Sequence, residues 1–287
     1  MKAIITGTLK RILYIGGFCA LTKQIRILFY HSVDNSGSPL STSIETFEKQ
    51  MSYLKKKGYR TISLSHYINN IYQKHTQHKK LVLITFDDGF KSTYLHAFPV
   101  LKKYGFLATV FLTTDYINGL AGWIKRDINL IEDRIFNSSI SKKELQEITK
   151  ASDFPLMTWE EIKEMDDYGM EFGSHTSSHI WLGKTTTEEI LEDIKRSKAI
   201  IEEKLNKPAD FFSYPYSDYK PETKEIVKDL GFRAACGGDP RADRSANDLF
   251  GLKRTGPFPA ENFFEFKFIF SAAFDWYIGL VVRLKGM

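Results

Sequence analysis

Two cysteines in 287 residues, Cys19 and Cys236, cannot build a disulfide framework, and they lack the close spacing of a thiolate metal site. The redox compartment therefore stays open. Long uncharged runs are also missing. Ile12 to Leu21, after Lys10 and Arg11, is too short to cross a bilayer, and Phe18 and Cys19 stand where a signal cleavage site wants small residues. Residues 1–24 are accordingly expected to form an uncleaved amphipathic helix that packs on the body or lies at a membrane face. Charge of one sign is scarce too: 40 Lys and Arg against 35 Asp and Glu leave +5, too little and too scattered for nucleic acid. That mild excess suits an anionic membrane surface or an acidic, lipid-phosphate-linked substrate. With 43% hydrophobic and 26% charged residues, disorder as the main state is excluded. The length allows a sizeable core, in one large α/β domain or two small ones.

What is present centres on Leu81-Val82-Leu83-Ile84-Thr85-Phe86-Asp87-Asp88-Gly89-Phe90. An apolar run of this kind fits a strand buried on both faces, as parallel sheets require. Asp87 and Asp88 sit where it ends, and two adjacent carboxylates there persist most readily when a cation or a shared proton compensates them. Asp-Asp-Gly is also an ordinary turn sequence. A partner for the carboxylates lies in Ser174-His175-Thr176-Ser177-Ser178-His179, after a second short strand, Met170 to Gly173. Two imidazoles four residues apart can meet one metal ion, and Asp88 would complete a facial set with open positions. Two surface histidines in a polar loop are the alternative.

In chain order the pattern reads as a strand from Arg26 to His31, a short extended piece at Arg60 to Leu64, and strands at Leu81 to Phe86, Phe106 to Leu112, Met170 to Gly173, Phe211 to Tyr216 with its exit loop, Phe232 to Cys236 and, last, Leu249 to Arg254. Helices intervene: one begins at Ser43, one spans Lys91 to Tyr104, one opens on the capping box Thr158 and Glu161, and a long one runs from Thr186 or Thr187 to Leu205. Thr113 to Phe154 reads as an insertion, helical around Ile128 to Ile148. This βα alternation predicts a closed or nearly closed barrel of about seven parallel strands, whose sites sit at the C-terminal strand ends. A C-terminal stripe, Phe263, Phe266, Phe270, Phe274 and Tyr277, recurs at helical intervals but is broken by Glu265, Lys267 and Asp275, too often for a membrane span. Residues 260–287 are expected to form an aromatic helix that packs on the barrel or lies at a membrane surface.

Thr85-Phe86-Asp87-Asp88-Gly89, His175-xxx-His179 and Tyr214-Pro215-Tyr216 resemble, in order and separation, the first three motifs of the polysaccharide deacetylases, the NodB-homology or carbohydrate esterase family 4 group. The resemblance runs from about Ile25 to Thr255, so residues 25–259 are taken as the deacetylase domain. It implies a distorted (β/α) barrel and a hydrolase that removes N-acetyl groups from amino sugars with a divalent metal, usually Zn2+. Carried over, Asp87 is the general base towards metal-activated water, Asp88, His175 and His179 hold the metal, and a backbone N–H near Tyr216 holds the oxyanion. Tyr30-His31-Ser32-Val33 resembles the opening of a branch that acts on exopolysaccharides or glycan intermediates.

Two departures stand out. Ser213 occupies the place where family members often carry an arginine that orients the base. Leu252-Lys253-Arg254 replaces a Leu-x-His that supplies the general acid; arginine cannot release a proton near neutral pH, so His31 or a water must act instead. Tyr214, Pro215, Arg254, Asp218 and Trp159 are the candidate substrate contacts, with Trp123, Asp239 and Asp243 also near the cleft. The function expected is N-deacetylation of an N-acetylated amino-sugar glycan or a lipid-linked saccharide precursor. The alternatives are a deformylase of a lipid-linked amino sugar and an inactive glycan-binding module. No nucleic-acid partner is expected, and the oligomeric state is open. Localisation is expected to be cytoplasmic or peripheral to the cytoplasmic membrane, with a secreted or periplasmic address left open.

Overall fold

In a computed structural model of the chain, residues 25–38, 40–72, 80–127, 154–237, 248–256 and 263–284 are described. The expected helix at 1–24, the helical stretch around 128–148 and the positions of Asp239 and Asp243 lie outside the described residues. The central strand, β5 (Leu81–Phe86), is buried along its whole length, which explains its uninterrupted apolar sequence. It pairs in parallel with β1 (Arg26–Tyr30), β4 (Arg60–Thr61) and β6 (Thr109–Leu112). Parallel pairing then continues through β7 (Glu171–Ser174), β8 (Phe211–Ser213) and β9 (Ala234–Cys236), giving a curled sheet of seven strands. A separate two-stranded ribbon joins β2 (Ser32–Val33) to β3 (Ser41–Thr42).

The expected last strand, Leu249 to Arg254, is different. Leu249–Gly251 is a 3-10 turn, and beyond it only single bridges form, Leu252 to Cys236 and Thr255 to Leu28. Leu252 N–H donates to Ala235 O at 2.9 Å and Thr255 N–H to Ile27 O at 2.7 Å, so this segment spans the gap between β9 and β1. A segment anchored at two points closes the half-barrel without becoming a strand, and it delivers Arg254 to the interior.

Side chains alternate across each strand, and the two faces bury different cores. Leu28, Tyr30, Val82, Ile84 and Phe86 join the larger outer core with Phe47, Met51 and Leu101 from the flanking helices. Ile27, Leu83, Phe111, Phe211, Cys236 and Leu252 fill the inside of the curl. By the same alternation Thr85 and Asp87 follow Leu83 inward, Ser213 follows Phe211, and Arg254 follows Leu252. Gly173 on β7 is required by that crowding: a Cβ there would lie 2.6 Å from Phe211 O and 2.9 Å from the Phe111 ring.

The helices follow their sequence signals. Thr158 and Thr186 each cap a helix through a reciprocal capping box with Glu161 and Glu189, opening Trp159–Tyr168 and Thr187–Leu205. The helix expected over Lys91 to Tyr104 contains a π segment, Thr93–Ala97, ahead of Phe98–Tyr104. Pro99 accounts for it, since it has no N–H for the carbonyl four residues back and its ring crowds that carbonyl. The C-terminal stripe is two helices, Phe263–Ile269 and Ala272–Leu284, separated where Ser271 Oγ donates to Phe268 O at 2.7 Å. Phe266, Phe268, Phe270 and Phe274 are buried in the outer core, Phe270 lying 4.9 Å from Tyr59, while Trp276 is 48% exposed. Among the described residues no helix is long and apolar enough to cross a membrane.

Candidate active site

The interior residues at the C-terminal ends of β5, β7 and β8 converge on Asp88. The chain turns sharply there: Asp88 (φ 74°) and Gly89 (φ 83°) are both left-handed, and a Cβ on Gly89 would come within 3.0 Å of Leu112. Thr113 Oγ1 donates to Asp88 O at 2.8 Å and fixes the turn. His175 Nε2 and His179 Nε2 lie 3.5 and 3.4 Å from Asp88 Oδ1, yet neither contact is aligned as a hydrogen bond. Among the described residues Oδ1 is thus buried without a hydrogen-bond partner. Burial opposes the charge of Asp88, but the imidazoles around it, His179 foremost, hold its carboxyl below the usual range. His175 Nδ1 is 2.8 Å from Ser213 O; a carbonyl can only accept, so the ring proton sits on Nδ1 and the Nε2 lone pair faces Asp88. Burial pushes the His175 imidazole down to about 4, so it is neutral over the ordinary pH range. A carboxylate oxygen and two imidazole nitrogens within 4.8 Å of one another, one of them orphaned in the interior, are the donor set a divalent cation takes.

Asp87 is built for another purpose. Arg254 grips it with two parallel bonds, Nη1 to Oδ1 at 2.7 Å and Nη2 to Oδ2 at 2.6 Å, and Nη2 also donates to Ser213 Oγ at 3.0 Å. Burial works against the Asp87 charge, but the Arg254 guanidinium outweighs it, with help from His175, and holds the carboxyl far below the usual carboxylate range. Each oxygen keeps a lone pair free of the guanidinium.

A second ring of residues supports the first. Asp193, buried mid-helix in Thr187–Leu205, accepts from Ser177 N–H and Ser178 Oγ, both at 2.6 Å, and so fixes the loop between the histidines. A turn of helix at 122–127 contributes more. Trp123 stacks on the His179 ring with centroids 4.8 Å apart, Arg126 donates to His179 O at 2.8 Å, and Asp127 accepts from the Tyr216 hydroxyl at 2.6 Å. Tyr216 itself is left-handed (φ 59°) inside a 3-10 turn, Pro215–Ser217, and stacks on Trp181 at 4.5 Å. Burial, followed by the Asp127 carboxylate, raises its hydroxyl well above the usual phenol range.

The polysaccharide deacetylase family model matches residues 74–235, more than half of the chain and all three motifs that form this site. The chain belongs to the polysaccharide deacetylase family. As a deacetylase it is a hydrolase acting on carbon–nitrogen bonds. The deacetylase is 28% identical over 231 residues to YxkH of Bacillus subtilis (strain 168), covering 80% of this chain and 70% of that protein. It is 25% identical over 227 residues to the poly-beta-1,6-N-acetyl-D-glucosamine N-deacetylase of Staphylococcus aureus (strain MRSA252), covering 78% and 70%. Among solved structures, IcaB from Ammonifex degensii superposes with a TM-score of 0.66 at 25% identity, covering 86% of this chain and 98% of that one. The Streptococcus pyogenes deacetylase PplD, at 24% identity, shares the fold, with a TM-score of 0.65 and coverage of 84% and 94%.

The deacetylase brings together Asp87, Asp88, His175, His179 and Tyr216, and His31, half-buried after β1, lies within the field of both aspartates. The expected substrate contacts need correction. Arg254 is buried and committed to Asp87, so it orients the carboxylate and has no guanidinium face for substrate. Tyr214 points outward by strand alternation, where it packs with Phe212, Val227 and Phe232, its hydroxyl donating to Phe250 O at 3.0 Å. Trp159 opens the Trp159–Tyr168 helix and packs against the outer core. Asp218 accepts from Trp181 Nε1 and holds that ring against Tyr216. Pro215 is buried as the first residue of the Tyr216 turn. Trp123 is buried against His179 and offers no face to a sugar. Sequence reasoning missed Trp181, Arg126, Asp127 and Asp193; only their contacts, distant in the chain, mark them.

Proposed function

We propose that this deacetylase is metal-dependent and removes N-acetyl groups from an amino-sugar glycan. The observation that carries the reading is the unpartnered, buried Asp88 Oδ1 between two imidazole nitrogens, beside a second carboxylate that an arginine keeps ionised. Asp88, His175 and His179 would hold the cation, and two imidazoles with one carboxylate suit zinc. A cation bound there supplies Lewis-acid polarisation and an acidified water.

The remaining work belongs to the chain's own side chains. Asp87 takes the proton of the attacking water at a carboxylate lone pair that Arg254 leaves open. A carboxyl held this acidic is a weak base, so it needs a water more acidic than bulk water, which is the reason its neighbours form a cation site. The Tyr216 N–H, carried on a left-handed residue anchored through its hydroxyl to Asp127, is the donor for the developing oxyanion. His31, whose imidazole lies within the field of both aspartates, protonates the departing amine. The name of the Staphylococcus aureus relative supports an N-acetylglucosamine polymer as the substrate class.

The test is acetate release from β-1,6-linked N-acetylglucosamine oligomers by protein of measured zinc content, with formate assayed in parallel on N-formyl substrates. Acetate release that stops on chelation and returns with zinc is expected. Hydrolysis indifferent to chelation, or release of formate alone, overturns the reading.

A further inference from the structure

The two histidines facing Asp88 are held in different ways. His175 has a hydrogen-bond acceptor for its second ring nitrogen, Ser213 O at 2.8 Å. His179 has none among the described residues: its Nδ1 is buried and meets no hydrogen-bond partner there. A ligating imidazole ordinarily donates its other N–H to an acceptor, which sets both tautomer and ring orientation. His179 is left-handed (φ 53°), and its ring is flanked by two aromatic side chains. The Trp123 indole lies nearly parallel to it, at 20° with centroids 4.8 Å apart, and Tyr216 meets its edge at 85° and 4.7 Å.

Trp123 is itself immobilised. It is 2% exposed and packs against Tyr116 at 4.8 Å and Phe90 at 6.2 Å, while Arg126, one turn further along the same helix, holds the His179 carbonyl at 2.8 Å. Stacking fixes a ring's plane but leaves rotation within that plane free, and here Arg126 restricts the backbone that carries the ring.

We infer that Trp123 is a positioning residue for the cation site, substituting for the missing acceptor on His179 by clamping the imidazole plane so that Nε2 faces Asp88. The inference rests on the metal-site reading above. It also makes His179 the ligand whose geometry is easiest to loosen, because His175 is held by a directional bond and His179 by a face.

The experiment is competition for Zn2+ between the metal-free full-length protein and a chromogenic chelator. Substituting Trp123→Leu, which keeps bulk but removes the flat face, weakens Zn2+ binding by roughly 10–100-fold, the usual loss when a supporting partner of a ligating histidine is removed. Trp123→Phe, which restores a flat face, recovers most of it. Intrinsic fluorescence gives an independent readout: Zn2+ changes the emission of the wild-type protein, Trp123→Phe reduces the change, and Trp276→Phe, at the exposed C-terminal helix, keeps it. His179→Ala serves as the reference. If His179→Ala loses Zn2+ while Trp123→Leu binds it as tightly as wild type, the inference is wrong and the metal site stands. If His179→Ala keeps Zn2+, the metal-site reading fails first. Should Trp123→Leu not fold, Trp123→Met, which also lacks a flat face, takes its place, and Zn2+ binding by it as tight as wild type overturns the inference.

Discussion

Removing the Arg254 guanidinium tests how the base is made. Arg254→Ala leaves Asp87, 3% exposed, with its two closest donors gone, and breaking a buried ion pair in this way costs on the order of 3–5 kcal/mol. Part of that is recovered if the carboxyl takes up a proton, because burial already favours the neutral form and only the guanidinium and neighbouring imidazoles oppose it. In the wild type the Asp87 carboxyl is depressed, so its contribution to stability is present at neutral pH and is lost only below the usual carboxylate range. In Arg254→Ala that contribution disappears, and the acidic limb of the pH–rate profile moves upward. Loss of a positioned base lowers kcat/KM by roughly 10²–10⁴. Ser213 Oγ lies 3.0 Å from the Arg254 guanidinium, so an arginine at position 213 starts from the same place. The double variant Ser213→Arg with Arg254→Ala should recover at least about tenfold of that loss, and guanidinium ions added to Arg254→Ala should recover some of it. The assays are acetate release across pH 4–9 and urea unfolding of each variant. An Arg254→Ala protein with unchanged kcat/KM and an unshifted acidic limb would refute the assignment of Arg254 as the group that keeps Asp87 ionised.

Three further outcomes separate roles at neighbouring residues. Asp87→Asn should retain stoichiometric metal and lose hydrolysis, whereas alanine at Asp88, His175 or His179 should release the ion; elemental analysis with an acetate assay distinguishes the two classes. His175 is buried with its imidazole lowered to about 4, so unfolded chains bind more protons than folded ones between that value and about 6.5. Stability of the metal-free protein should therefore fall as pH drops through this window, by roughly 3 kcal/mol at most, and the slope should be smaller in His175→Gln; denaturant titrations at stepped pH measure it. Tyr214→Phe deletes only the bond to Phe250 O, so a loss of about 1 kcal/mol in stability with unaltered kcat/KM is expected. A large catalytic defect in that variant would return Tyr214 to the substrate site.

Much of the fold can be read along the chain because its signals are local. The buried run at Leu81–Phe86 and the two capping boxes each act within a few residues. The orientation of Tyr214 was legible as well, since alternation from Phe211 through Ser213 already sends Tyr214 to the opposite face. The segment at Leu249 to Arg254 misleads because its apolar residues serve a 3-10 turn and two isolated bridges, a shape that depends on the gap left between β9 and β1.

Sequence by itself determined the chemistry on offer: two carboxylates at a strand end, two imidazoles four apart, and a tyrosine after a buried strand, because residue type and short spacing are properties of the chain alone. Only the tertiary structure decided the partners. Arg254 reaches Asp87 across 167 positions, Tyr216 reaches Asp127 across 89, and Trp123 meets His179 from a helical turn in another part of the chain. Contacts of that range are set by how the sheet curls and where its ends meet, and no local spacing encodes them.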